Sequence, residues 1–355
     1  MSLSAVGSLL DEAWRLEPFV PPFVFSAFFS PEDTLLCVCA AEAARGLLSA
    51  TLGSSDNPGL RISELTSGSG LVGLHLLRTD TSARLLGLDI DSEAAAIASH
   101  NAESLGLASR ARFVTSDLWA PATVELLKAE RPELLVCNPP YVPEPPGMCM
   151  QIEAGAGPHG TAHLLRALEL AREIQPAALA LSWCSLADPG RVMAAADATG
   201  YDLRRLYVTA ISDGEYSGSV HSYLRELGDC YINENPDTLS VLASDGCARF
   251  GYLLLAGAFA RRADIANDNP VARGEDAAVN GEAERVESIN RNAGAAAIVQ
   301  QLCKDFARDG VDALSRWTDG AGPFPIHCSV LDRWAELRLR AMLHGEITQA
   351  AGKQS

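Results

Sequence analysis

Four consecutive residues, Asn138-Pro139-Pro140-Tyr141, carry the most specific chemistry in the chain. An [Asn/Asp]-Pro-Pro-[aromatic] tetrapeptide arises by chance in about one chain in a hundred of this length. The Asn138 side-chain oxygen and the Pro139 carbonyl can each accept a hydrogen bond from an N–H group. Nitrogens conjugated to a carbonyl, an aromatic ring or a guanidine core share their lone pair and are poor nucleophiles. Two acceptors on such a nitrogen turn its lone pair toward an electrophile and stabilise the positive charge that develops. Pro140 stiffens the loop because proline fixes φ. Tyr141 can lay its ring against a planar group, with a cation–π contribution where charge develops.

Upstream, Gly68-Ser69-Gly70-Leu71-Val72-Gly73 matches G-x-G-x-x-G, a turn in which glycines allow close backbone approach to a ligand. Asp89 stands 19 residues after Gly70. A carboxylate there can accept both hydroxyls of a ribose. Nicotinamide dinucleotides and S-adenosylmethionine both present such a ribose, so this pair of features indicates a nucleoside without choosing between them. A dinucleotide-dependent oxidoreductase would use the glycine turn and leave Asn138–Tyr141 without a role.

These residues need a scaffold that brings strand ends together, and the pattern supplies one. From Ile62 onward, short apolar runs alternate with helix-like segments, as in a parallel sheet with crossover helices. Strands are expected at Arg61–Leu65, Leu85–Ile90, Arg112–Val114, Glu133–Cys137, Ala177–Cys184, Asp202–Ala210 and Ala248–Ala258. Helices are expected at Val72–Leu77, Ser92–Leu105, His163–Ile174 and Arg191–Thr199, with Gly294–Phe306 and Ser329–Leu343 beyond the sheet. The organisation that follows is an N-terminal helical segment over 1–60, an α/β domain over 61–262 with an insertion at 211–247, an acidic linker or loop at 263–285, and a C-terminal helical extension over 286–355. The fold class is α/β, a Rossmann-like seven-stranded sheet with an insertion before the last strand. The insertion and the extension are expected to cover the Asn138–Tyr141 face and to build a homodimer interface.

Charge narrows the partners. The formal net charge is −17, and Lys occurs only at Lys128, Lys304 and Lys353. Such a surface repels phosphates, which argues against nucleic acid and fits a cationic or small substrate. Nine scattered cysteines show no metal spacing, so no metal is expected, and buried reduced thiols in a cytoplasm are the expectation. The apolar stretch Val20–Phe29 holds two prolines and is too short to span a bilayer.

The ordered set Glu64…Gly68-Ser69-Gly70, Asp89, Ser116-Asp117-Leu118 and Asn138-Pro139-Pro140-Tyr141 resembles the class I S-adenosylmethionine-dependent methyltransferases of the N-methylating branch. Within that branch it is most similar to the release-factor glutamine methyltransferase group. Ser30-Pro31-Glu32-Asp33-Thr34 resembles the segment that group carries before its first strand, and Gly155–His163 the stretch after its Asn-Pro-Pro-Tyr. The resemblance implies S-adenosyl-L-methionine as cofactor. Glu64 would approach its methionine amino group, Thr66-Ser67-Gly68-Ser69-Gly70 would pass beneath it, Asp89 with Ile90 would hold the ribose, and Asp117 and Leu118 would frame the adenine. Asn138 through Tyr141 would be catalytic, with Asn138 also touching the cofactor. Thr34, Tyr141, Glu144 and Glu153 are candidates for the substrate, and Glu215 is a further carboxylate that could remove a proton.

Two departures stand out. Thr66 occupies the place of the group's usual first glycine, and the C-terminal extension exceeds what that group carries. The expected reaction is N-methylation of a planar nitrogen, guanidino, amide or amine, in a small molecule or amino acid, with a free arginine-type guanidine as one acceptor. Protein glutamine N5-methylation, rRNA adenine N6-methylation and a non-catalytic binding protein are the competing readings.

Overall fold

The computed structural model describes residues 23–25, 29–49, 59–243, 247–262, 294–318 and 323–330, with isolated positions between 7 and 19. Nine strands form one sheet: β1 (Gly7–Ser8), β2 (Arg61–Leu65), β3 (Arg84–Asp89), β4 (Ala111–Thr115), β5 (Leu134–Cys137), β6 (Ala178–Cys184), β7 (Tyr201–Ser212), β8 (Gly251–Arg261) and β9 (Ile326–Val330). Their order is β1-β9-β7-β8-β6-β5-β2-β3-β4. Neighbours among β2 to β6 run parallel, and β8 lies antiparallel between β6 and β7. The helices are α1 (Pro31–Ser49), α2 (Leu71–Thr79), α3 (Ser92–Ser104), α4 (Pro121–Glu130), α5 (Ala162–Ile174), α6 (Pro189–Ala198), α7 (Glu215–Ser219), α8 (His221–Glu226), α9 (Pro236–Leu242), α10 (294–309) and α11 (Leu314–Trp317).

Successive strand residues face opposite sides of the sheet, and both sides are apolar here. Ile62, Leu85, Leu134, Ala178 and Ala256 meet α1 and α2 on one side. Leu65, Leu86, Leu135, Leu179 and Leu253 meet α4, α5, α6 and α10 on the other. Every residue of β5 and β6 is buried, which is why these strands read as unbroken apolar runs. Helix α1 begins at Ser30-Pro31: proline suits the first helical position, and the hydroxyl of Ser30 accepts from the Asp33 N–H at 3.4 Å.

Among the described residues the sheet has nine strands rather than seven because the C-terminal extension supplies β9 and the N-terminal segment supplies β1, which pairs with it. The sequence predicts a helix from Ser329 to Leu343, yet Ser329 and Val330 end strand β9. Ile326, Cys328 and Val330 are buried in alternation with His327 and Ser329, a period of two that adds a strand beside β7. The Ser329 hydroxyl, expected as a helix cap, donates instead to the Val208 carbonyl at 3.2 Å. The linker at 263–285 and the chain after Val330 lie outside the described residues.

The two added segments also differ in where they pack. The insertion carries α7 onto the site face; Val220 and Leu224 enter the core on the α1 side, Tyr223 donates to the Pro158 carbonyl at 3.0 Å, and Leu242 of α9 joins the opposite core. Helix α10 buries Val299, Leu302 and Phe306 on the opposite side. None of residues 294–318 or 323–330 reaches the Asn138–Tyr141 face, so the expected cover comes from the insertion alone among the described residues. Among those residues no helix is long and apolar enough to cross a membrane. Phe306 is fully buried, and its carbonyl accepts from the Asn233 amide at 3.2 Å. Phe306→Ala should cost about 3–5 kcal/mol of stability, the range for truncating a buried aromatic. Urea denaturation measures this, and a loss below about 1 kcal/mol would show that α10 is not part of the main core.

Candidate active site

The connections leaving β2 and β5 part in opposite directions, one toward α2 and the other toward α5. In an open α/β sheet that parting leaves a crevice at the carboxyl ends of the strands. A cavity of about 500 Å³ lies there. Its walls come from the ends of β2, β3, β4 and β5, the first turn of α1, and residues 211–217 of the insertion.

The turn after β2 sets the first wall. Thr66, Gly68 and Gly70 all have positive φ, at 53°, 50° and 77°. A β-branched residue rarely adopts this backbone, which costs L-residues roughly 1–2 kcal/mol. The geometry explains why a glycine would be at home at position 66. Its hydroxyl offsets part of the strain by donating to the Leu65 carbonyl at 2.5 Å, and it lies 3.2 Å from the Asn138 carbonyl. Gly68 donates its N–H to Asp89 Oδ2 at 2.7 Å, and Asp91 donates to Oδ1 at 3.0 Å. Each Asp89 oxygen thus keeps a further lone pair on a carboxylate that lines the cavity. Burial raises the Asp89 pKa, and these backbone donors oppose the rise.

The remaining glycines serve packing. A Cβ on Gly70 would stand 2.7 Å from the Phe113 ring, and one on Gly73 only 2.5 Å from Glu64 Oε2. Glu64 is buried and accepts the Gly73 N–H at 3.0 Å. Burial pushes its carboxyl up to about 8; the Gly73 N–H opposes this, and the Asp89 charge adds to it. Glu64, Ser67, Ser69 and Gly70 stand behind the cavity surface, whereas Thr66, Gly68, Asp89 and Ile90 form it. The Ser69 carbonyl accepts from Asn101, a fully buried residue that also binds the Val24 backbone.

A second wall, after β4, joins Asp117, Leu118 and Trp119 to His163 of α5. Ile90 and Trp119 are about half exposed, and the Trp119 ring meets the His163 ring edge-on at 5.0 Å. Burial lowers the His163 pKa, which favours a neutral ring. An apolar slot with a carboxylate at each side suits a flat heteroaromatic group.

The third wall brings Asn138, Pro139, Pro140 and Tyr141 against the start of α1. Asn138 Oδ1 is buried and has no hydrogen-bond partner. The Tyr141 hydroxyl donates to Asp33 Oδ2 at 3.0 Å, joining residues 108 positions apart in sequence. Asp33 is 2% exposed, and its Oδ1 has no partner. Burial raises its carboxyl to about 7; the Tyr141 hydroxyl opposes the rise, nearby Glu32 adds to it, and the Asn138 amide opposes it. Burial beside Asp33 also drives the Tyr141 phenol well above its ordinary value.

The substrate candidates separate at this wall. Glu153 lines the cavity and accepts from the Tyr216 hydroxyl at 3.0 Å, and Glu215 lines it too. Thr34 does not line it; its N–H turns inward to the Ser30 carbonyl within the first turn of α1. Glu144 does not line it either, because its carboxylate braces the following loop by accepting from the Met150 N–H at 3.1 Å. Asp33 and Trp119 are the residues that motif spacing passes over. The helix start Ser30-Pro31-Glu32-Asp33 was the available signal for Asp33: its acids fall in a first turn that points into the crevice.

Strand order, the single antiparallel strand β8 and these three walls form a Rossmann-like α/β domain with its crevice at the topological switch point. In agreement, residues 42–146 match the family model described as the methyltransferase small domain. The chain is similar to the release factor glutamine methyltransferase of Chlorobaculum tepidum, with 32% identity over 123 residues, 35% of this chain and 40% of that protein. It is also similar to that of Rhodospirillum rubrum, with 41% identity over 97 residues, 27% and 28% of the two chains. The chain thus spans less than half the length of these curated relatives. A solved methyltransferase from Geobacter sulfurreducens, in complex with S-adenosyl-L-homocysteine, aligns with a TM-score of 0.34 at 16% identity over 70% of this chain and 98% of its own.

Asp33 gives this site a measurable signature in pH. Its folded value of about 7 exceeds the unfolded value of about 4, so between those limits the folded chain holds a proton that the unfolded chain releases. The stability contributed by the neutral carboxyl is present below about pH 4 and is lost as pH rises toward 7. Asp33→Asn carries no such proton. The melting temperature of the parent chain should therefore fall relative to this variant between pH 4 and 7 and run parallel to it above 8. Parallel melting curves across the whole range would place Asp33 in an ordinary solvated environment.

Proposed function

We propose that the chain is an S-adenosylmethionine-dependent N-methyltransferase that uses Asn138-Pro139-Pro140-Tyr141 on a planar nitrogen. The observation that carries this reading is the buried, unpartnered Asn138 Oδ1 in a cavity shared with Asp89. A buried acceptor without a donor costs stability, so its retention at a cavity wall fits a ligand N–H. Asp89 has lone pairs for a ribose, and Ile90, Leu118 and Trp119 provide apolar surface for an adenine ring. S-adenosylmethionine, when bound, supplies an electrophilic methyl group on a sulfonium. Asn138 and the Pro139 carbonyl would accept the N–H groups of the methyl acceptor and so turn its nitrogen lone pair toward the bound cofactor. Tyr141, held by Asp33, fixes the loop that carries both acceptors.

The relatives support the amide of a protein glutamine as one acceptor. The net charge of −17 disfavours rRNA. A free amino acid or other small molecule with a guanidino or amine nitrogen is the second class, and the acidity of the cavity favours it.

Two substitutions test the reading. Asp89→Ala should weaken S-adenosylhomocysteine binding by about 2–3 kcal/mol, the scale of lost charge-assisted hydrogen bonds, and calorimetry measures this directly. Unchanged affinity would remove Asp89 from the cofactor site. Asn138→Ala should lower kcat by about 100-fold or more while leaving S-adenosylhomocysteine affinity nearly intact. Turnover at the parental rate would rule out the orienting role.

A further inference from the structure

The acceptor wall is unusually one-sided in charge. Eight of the side chains lining the cavity are carboxylates, and among the described residues none is Lys or Arg. Three of the eight, Asp89, Asp91 and Asp117, lie on the walls assigned to the nucleoside. Asp213 is engaged elsewhere, accepting the Arg249 N–H at 2.7 Å. Glu32 likewise accepts from the Ser30 hydroxyl at 2.9 Å, and the three that remain, Asp33, Glu153 and Glu215, come from α1, the loop after Asn138–Tyr141 and the insertion, with Glu153 also accepting from the Tyr216 hydroxyl at 3.0 Å. The methionine ammonium of the cofactor can account for one of them at most.

A second observation says what kind of group these carboxylates await. Asp33 Oδ1, on a side chain only 2% exposed, and the buried Asn138 Oδ1 are both acceptors without donors, and both residues line the same cavity. Two idle acceptors on adjacent side chains call for a ligand that presents several N–H groups in a plane. A neutral amide would add its own carbonyl oxygen to a wall already crowded with oxygens. A guanidinium has five donors and no acceptor, and its positive charge offsets the carboxylates.

Resting on the methyltransferase reading above, we propose that the acceptor is a cationic guanidino compound, held by Asp33 and Asn138 with Glu153 and Glu215 closing the far side. In the transfer, a guanidino nitrogen forms a bond to the methyl carbon while the carbon–sulfur bond breaks and its electron pair stays on sulfur. One N–H proton leaves for the Asp33 carboxylate, so the product guanidinium keeps a single positive charge.

The test uses the full chain with S-adenosylmethionine and a pair of probes of nearly equal shape. L-Arginine carries the guanidinium, and L-citrulline carries a neutral ureido group in its place. Arginine should bind in calorimetry and become methylated, while citrulline and a glutamine-containing peptide should be at least about 10-fold weaker in both. Asp33→Asn should weaken arginine binding by about 10-fold or more and Glu153→Gln by a smaller factor, each with S-adenosylhomocysteine binding unchanged as the check on folding. Methylation of the glutamine peptide with arginine inert would overturn the cationic acceptor and leave the methyltransferase reading intact. Equal binding of arginine and citrulline would do the same. Failure of S-adenosylhomocysteine to bind the parent chain would overturn both.

Discussion

Because both faces of the sheet are covered by helices, polar side chains gather at the strand ends, and those of the candidate site gather at the carboxyl ends. That constraint organises the rest of the molecule. Strands such as β5 and β6 have no polar face to offer, so acids and amides collect where the chain leaves the sheet. There they are pressed together with little water, and burial dominates their chemistry. Glu64 and Asp33 both rise far above ordinary carboxyl values for this reason. Partner hydrogen bonds decide how far each rises, and the Tyr141–Asp33 bond is the clearest case: it holds a carboxyl at the boundary between its charged and neutral forms.

The site also tolerates strain that a purely structural loop would shed. Thr66 holds a left-handed backbone that a glycine would adopt freely, and its hydroxyl bonds locally while reaching the Asn138 carbonyl. The threonine therefore couples the turn after β2 to the loop after β5, the two segments that border the crevice. A glycine there would relax the backbone and remove that link. Conversely, Gly73 is a glycine because Glu64 and Leu85 occupy the space a side chain would need, while at Gly70 a left-handed backbone and the Phe113 ring both call for glycine.

Most of the sheet was legible because its signal is local. Alternation and apolar runs locate β2 through β7 within one or two residues. The same signal places the last sheet strand at Ala248–Ala258, whereas β8 spans Gly251–Arg261, three residues further on at each end. The strand β9 was hidden for a related reason: five residues of alternating burial precede a longer stretch with helical spacing, and the longer pattern dominates any window that contains both. In the site, Gly68, Asp89, Asn138 and Tyr141 could be read from their spacing along single strand–turn units. Asp33 could not, because its meaning depends on a hydrogen bond across 108 residues and on burial by three separate elements. Thr34 and Glu144 illustrate the converse, being polar residues beside a motif whose side chains or backbone are spent on the turn that presents it.

The pairing of β9 between β7 and β1 has a consequence for how the chain is made. Strand β7 is complete once residue 212 has been synthesised, yet the strand that covers its outer edge begins at Ile326. At roughly 5–20 residues per second, that interval lasts several seconds or more on the ribosome. Through it, the nascent protein presents a bare row of backbone donors and acceptors, the arrangement most open to pairing with a neighbouring chain. Strand β1 must likewise wait for β9 before it has a partner. The edge of this sheet is thus sealed by two segments far apart in the chain, and only after translation has passed Asn138–Tyr141.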